Sequence, residues 1–193
     1  MHSVKRKILI AGGLVVLCLA AAICFSLTRK AEPIASAFLT KIYTVEDPAS
    51  AKALFSEMRE KIEKKTEKPP AEGIVTLPMS EDPFFAYYLE QYGALCTREG
   101  MEAMYASRSF GTFATVAMRQ NWSFRTGSPV LDRHTPNQFG YQLHVTVTDV
   151  ATGEEKTVPQ HGIILLKRTL FGYKVQTIRM QSTKLVSPQP DLF

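Results

Sequence analysis

The hydrophobic period of this chain changes once and does not change back. Up to about Arg108 apolar residues recur at the 3.6-residue spacing of helices; from about Phe113 they alternate, as in strands with one dry and one wet face. Helices first and hairpin-connected strands after them predict an α+β domain with an antiparallel sheet. The order argues against the βαβ units that build parallel sheets.

The helical half carries clear start signals. Ala31 to Thr44 reads as a helix with Phe38, Leu39 and Ile42 on one side. Asp47-Pro48 offers an N-cap acceptor followed by a residue with no N–H to satisfy. Ala51, Leu54, Phe55 and Met58 form the stripe of the next helix. Beyond Met58 the segment is Glu and Lys, with Glu57/Lys61 and Glu60/Lys64 four apart, a solvated face that Pro69-Pro70 ends. Asp82-Pro83 repeats the start signal. Phe84, Phe85, Tyr88, Leu89, Tyr92, Leu95 and Cys96 then follow at helical spacing, Thr97 and Gly100 break the helix, and Met101 to Arg108 forms a short one with Met101, Met104 and Tyr105 inward. This aromatic face is core material first. Its functional alternative is a pocket lined by Tyr88, Tyr92 and Trp122, with the hydroxyls as polar handles.

In the second half Trp122 and Phe124 alternate against Ser123 and Arg125. Phe139, Tyr141, Leu143, Val145 and Val147 alternate against Gln142, His144, Thr146 and Thr148. A Gly-containing turn, the strand "KTVPQHGIILLKR", a second turn from Thr169 to Gly172 and "YKVQTIRM" complete the sheet. Tyr173 and Val175 are placed on one face, toward Tyr88 and Tyr92, with Lys174 on the wet face. The next large apolar residue, Ile178, comes three later, which predicts a bulge near Gln176-Thr177.

Ahead of all this, Ile8 to Leu27 contains no charge and would span about 30 Å as a helix, the thickness of a bilayer core. Lys5, Arg6 and Lys7 precede it, and Arg29 and Lys30 follow. The reading is a transmembrane signal anchor with residues 1–7 cytoplasmic and the rest outside. A cleaved signal peptide, with Ala20-Ala21-Ala22 before Ile23, is the alternative.

A formal net charge of +5 is spread among acids without a basic run, which argues against nucleic acid as a partner and fits an anionic membrane surface. Of the three cysteines only Cys96 lies outside the apolar run, so the domain closes no internal disulfide. No cysteine and histidine spacing suits a metal, and no cofactor is expected. No catalytic residue is assigned. His144 is on a wet face, Asp149 in a turn, His161 at a strand edge, and Asp132, Arg133 and His134 in a Pro/Asn loop.

The segment "YGALCTREGMEAMYASRSF" and the terminal Gly172, Tyr173, Lys174, Val175 and Ile178 resemble the NTF2-like (cystatin-like) superfamily, over roughly Ala31 to Gln181. The resemblance implies a cone of helices within a curved antiparallel sheet, residues 31–181, with a flexible tail over 182–193. With the anchor, the chain is similar to membrane-bound Gram-positive proteins of this kind, including conjugation-channel TcpC/VirB8-like ectodomains. That similarity implies a non-catalytic extracytoplasmic binding or assembly module whose partner is a second copy or another envelope protein. A pocket enzyme or small-ligand binder is the alternative, by analogy with superfamily enzymes that place a general base inside the cone.

Overall fold

The computed structural model describes residues 30–65, 77–181 and 185. The expected anchor at 8–27, its tail at 1–7, the Pro69-Pro70 stop and all of 182–193 except Leu185 lie outside these. Among the described residues no helix is long and apolar enough to cross a membrane.

Five helices come first: α1 (Ala31–Tyr43), α2 (Pro48–Lys65), α3 (Pro83–Tyr92, after a 3-10 turn at Met79–Glu81), α4 (Arg98–Ala106) and α5 (Thr112–Gln120). Their starts follow from local chemistry. The Asp47 carboxylate accepts from the backbone N–H of Ala49 at 2.9 Å and of Ser50 at 3.1 Å. Asp82 accepts from Phe84 N–H at 2.8 Å, and Thr97 Oγ1 from Gly100 N–H at 2.9 Å. Each satisfies an otherwise orphaned donor.

Five antiparallel strands follow: β1 (Trp122–Thr126), β2 (Val130–Thr135), β3 (Gln138–Asp149), β4 (Glu155–Thr169) and β5 (Gly172–Met180). The order is β1-β3-β4-β5, and β2 also pairs with β3. β2 takes the first half of β3 and β1 the second, so both share one edge. The sheet curls into a half-barrel over the helices. Part of that curl comes from β5. Leu165 pairs with Thr177 but Leu166 with Val175, so Gln176 is the extra residue of a bulge, at the place where the apolar spacing slips.

The core fills the concave side. β3 contributes Phe139, Tyr141, Leu143, Val145 and Val147; the helices contribute Phe38, Leu39, Tyr43, Phe85, Met101, Met104 and Phe113. Leu185, past the end of β5, is also fully buried in it.

The structure departs from the expected local assignments at several positions. Phe113 does not begin the strand half: it lies on α5, where Phe113 and Ala117, one turn apart, are both buried, and alternation starts at Trp122 after the left-handed Asn121. Thr97 and Gly100 do not break a helix. They begin α4, and glycine is needed there because a Cβ would sit 2.6 Å from the Gln176 carbonyl. Asp132, Arg133 and His134 belong to strand β2, whose backbone pairing with β3 overrides the loop signal of the adjoining Pro136-Asn137. Lys174 is half-buried, not on a wet face, and its Nζ donates to the Gly93 carbonyl at 2.9 Å.

The closing hairpin of β4 and β5 covers the helices, chiefly through elements other than the helix that carries Tyr88 and Tyr92. β5 packs against α1 and α4. The Val175 N–H donates to the Leu95 carbonyl at 2.8 Å and its own carbonyl accepts from Thr97 N–H at 2.9 Å, so the link between α3 and α4 runs beside β5 like a short extra strand. The buried residues of β5 are Gly172, Val175 and Ile178, with Tyr173 half-buried.

Candidate functional site

An open groove of about 1050 Å3 lies on the helical side. α1 presents two faces. Ala35, Phe38, Leu39 and Ile42 point into the core, while Pro33, Ser36, Ala37, Thr40 and Lys41 line one wall of the groove. Small residues at helical spacing keep that wall low. α2 packs on α5 and α3 and supplies the opposite wall through Ser50, Ala51, Leu54 and Phe55. That stripe is only half-buried apart from Met58, which fits a helix with one side on the domain and one side on a groove. α3 closes the end with Tyr87, Tyr88, Gln91 and Tyr92, over a floor that includes Phe110 and Ala114.

The aromatic end is closely packed. Tyr88 stacks on Phe110 with centroids 5.2 Å apart, and Tyr92 tilts against Phe110 at 4.8 Å and meets Phe38 edge-on at 5.8 Å. Lys41 ties two walls together. Its Nζ donates to the Gln91 carbonyl at 2.7 Å and lies 5.2 Å from the Tyr92 ring centroid, while Tyr92 OH donates to the Lys41 carbonyl at 3.3 Å.

Burial pushes the Tyr88 and Tyr92 phenols well above the usual tyrosine range. Burial thus favours their neutral form, and the Tyr92 hydroxyl is already engaged with the Lys41 carbonyl. Cys96 is buried beside Val175, and burial raises its thiol to about 12, as suits a small core residue and not a nucleophile.

Of the three residues suggested as pocket lining, the structure brings Tyr88 and Tyr92 to the groove. Trp122 is buried on β1 and is not part of its lining. The groove's other wall, Leu54 and Phe55, was legible only as a helix stripe; its half-buried character needed the position of α2. The remaining titratable candidates do not converge. His144 and His161 are exposed on the outer face of the sheet. Asp149 accepts from Ala151 N–H and Thr152 N–H in its turn, and Asp132 lies 3.4 Å from His134 on the exposed edge strand. Among the described residues no group of three or more His, Cys, Asp or Glu is placed to hold a metal ion.

No protein-family model, curated protein or solved structure matches the chain.

Proposed function

We propose that this domain is a non-catalytic binding or assembly module, carried at the outer face of a cytoplasmic membrane by the apolar run Ile8 to Leu27, with a polypeptide segment of an envelope partner as the occupant of its groove. The observation that carries the reading is the contrast between a filled interior and an open exterior groove. The space inside the half-barrel is occupied by packed side chains such as Phe38, Phe113 and Phe139, while an accessible, partly apolar groove lies between α1, α2 and α3. An open groove walled by helices suits an added helix or extended segment, whereas small-molecule sites enclose most of their ligand. In this reading the helices and the curled, bulged antiparallel sheet are of the NTF2-like kind that the sequence resembles, and the chain takes a place in a conjugation or secretion envelope complex.

Small-ligand binding is the second reading, favoured by the neutral phenols of Tyr88 and Tyr92 at one end of the groove. A pair of variants in the full-length, membrane-embedded chain separates the two. Ala37→Arg and Ala51→Arg place bulk and charge on partly exposed walls without touching the core. Loss of the co-purifying envelope partner with an unchanged melting curve is the expected result. Retention of the partner in both variants overturns the groove as its seat. External protease should remove the domain in protoplasts; a domain protected there overturns the topology.

A further inference from the structure

The turn between β4 and β5 carries two large apolar side chains that the fold does not use. Leu170 is 85% exposed and Phe171 68% exposed. The turn is held by its flanking residues. Thr169 Oγ1 donates to the Gly172 carbonyl at 2.9 Å and accepts from Phe171 N–H at 3.3 Å, and Gly172 supplies the positive φ of 111°. Leu170 and Phe171 themselves have negative φ, so this geometry accepts almost any residue at both positions, and polar ones are usual at a hairpin tip. Two adjacent apolar residues in water therefore call for a reason outside folding.

Their surroundings indicate one. Lys167 and Arg168 are exposed just behind the tip, and strand alternation sends them to opposite faces of the hairpin. The half-buried Tyr173 stands opposite Arg168. Glu99 is in electrostatic reach of Lys167: its carboxyl is held below its usual range first by a backbone hydrogen bond and then by Lys167. A convex tip of two side chains is too small for a stable protein interface, which needs about 800 Å2 on each partner. An apolar point collared by cations and a tyrosine has the composition of a segment that sits at a lipid headgroup boundary.

We propose that the Leu170–Phe171 tip dips into an anionic bilayer surface, with Lys167 and Arg168 meeting the lipid phosphates. The tip thereby gives the domain a second membrane contact. The idea rests on the reading that the domain sits beside a membrane.

The full-length chain reconstituted in vesicles tests it. The parent, whose one tryptophan Trp122 is buried, gives the fluorescence baseline. Phe171→Trp and, independently, Leu170→Trp place a reporter at the tip. In vesicles of phosphatidylglycerol and phosphatidylcholine, acyl-chain-brominated lipid should quench both reporters beyond the parent. The extra quenching should be lost in pure phosphatidylcholine and in the Lys167→Gln/Arg168→Gln background. No extra quenching from either reporter overturns the proposal, and so does quenching indifferent to the anionic lipid. A blue shift that appears without vesicles and grows with protein concentration assigns the tip to a second copy instead and also overturns it. Alkaline carbonate extraction reads the anchor separately: a chain released by carbonate fails the anchor reading, whatever the tip reporters show.

Discussion

Tyr43 on α1 and Tyr141 on β3, 98 residues apart, join their hydroxyls at 2.7 Å inside the core. Neither ring is accessible, and each phenol is the other's partner in a site where an unpaired hydroxyl would be costly. The pair fastens the first helix to the middle of the sheet, and Tyr43 also packs on Phe113 of α5 at 4.5 Å.

Removing one hydroxyl should therefore cost more than removing both. Tyr43→Phe and Tyr141→Phe are each expected to destabilise the chain by about 1–3 kcal/mol, since each leaves a buried hydroxyl unsatisfied. The double Phe variant should recover most of that loss, because both partners become apolar at nearly constant shape. Urea melts of the four chains check this, and strict additivity counts against the pairing.

The same pair predicts alkaline sensitivity. Burial pushes Tyr141 from the ordinary 10.0 up to about 12, and pushes Tyr43 higher still. The folded state then holds phenol protons that the unfolded chain gives up near pH 10. The stabilisation is complete below that pH and falls as pH rises toward and past 12. Melting temperature against pH should drop above about 10, and the drop should be shallower in the double Phe variant.

Gly162 lies directly across from Tyr141 in the ladder. A Cβ at Gly162 would collide with the Arg179 carbonyl and sit 2.6 Å from the Tyr141 hydroxyl. Gly162→Ala should cost at least about 2 kcal/mol, as overpacking against backbone does. Gly153→Ala, in the open turn before β4, meets nothing within 4 Å but has φ of +75°, so its smaller loss of about 1 kcal/mol should reflect backbone strain alone. Equal losses in the two variants would contradict the close approach at Gly162.

On β5, Val175→Asp should cost roughly 3 kcal/mol or more, because Val175 is fully buried and a carboxylate there finds no partner. Lys174→Asp, which the alternating pattern would rate as harmless, should cost roughly 1–2 kcal/mol, since it removes the bond that closes the end of α3 and sets a negative charge against a helix C-terminal carbonyl. Lys174→Met tests the attribution: it should lose less than the aspartate variant, and an aspartate variant as stable as the parent defeats it.

The sequence by itself determined the order of helices and strands, the two Asp-Pro starts, the inward residues of β3 and the slip in β5. All depend on neighbours a few residues away, where period and capping chemistry act. Even there a short element misleads. Phe113, Val116 and Ala117 are too few to announce a helix, and α5, which buries Phe113 and Ala117, is held by β1 and α2. Tertiary structure alone decided the remainder. It made β2 a strand by supplying β3 as its partner, kept Gly100 beside the Gln176 carbonyl, and turned Lys174 inward onto a helix end. It also placed Tyr88 and Tyr92 opposite Leu54 and Phe55 while leaving Trp122 in the core. Periodicity specifies which side of an element is apolar. Whether that side meets another element, a groove or water depends on where distant segments pack, and that information is spread over the whole chain.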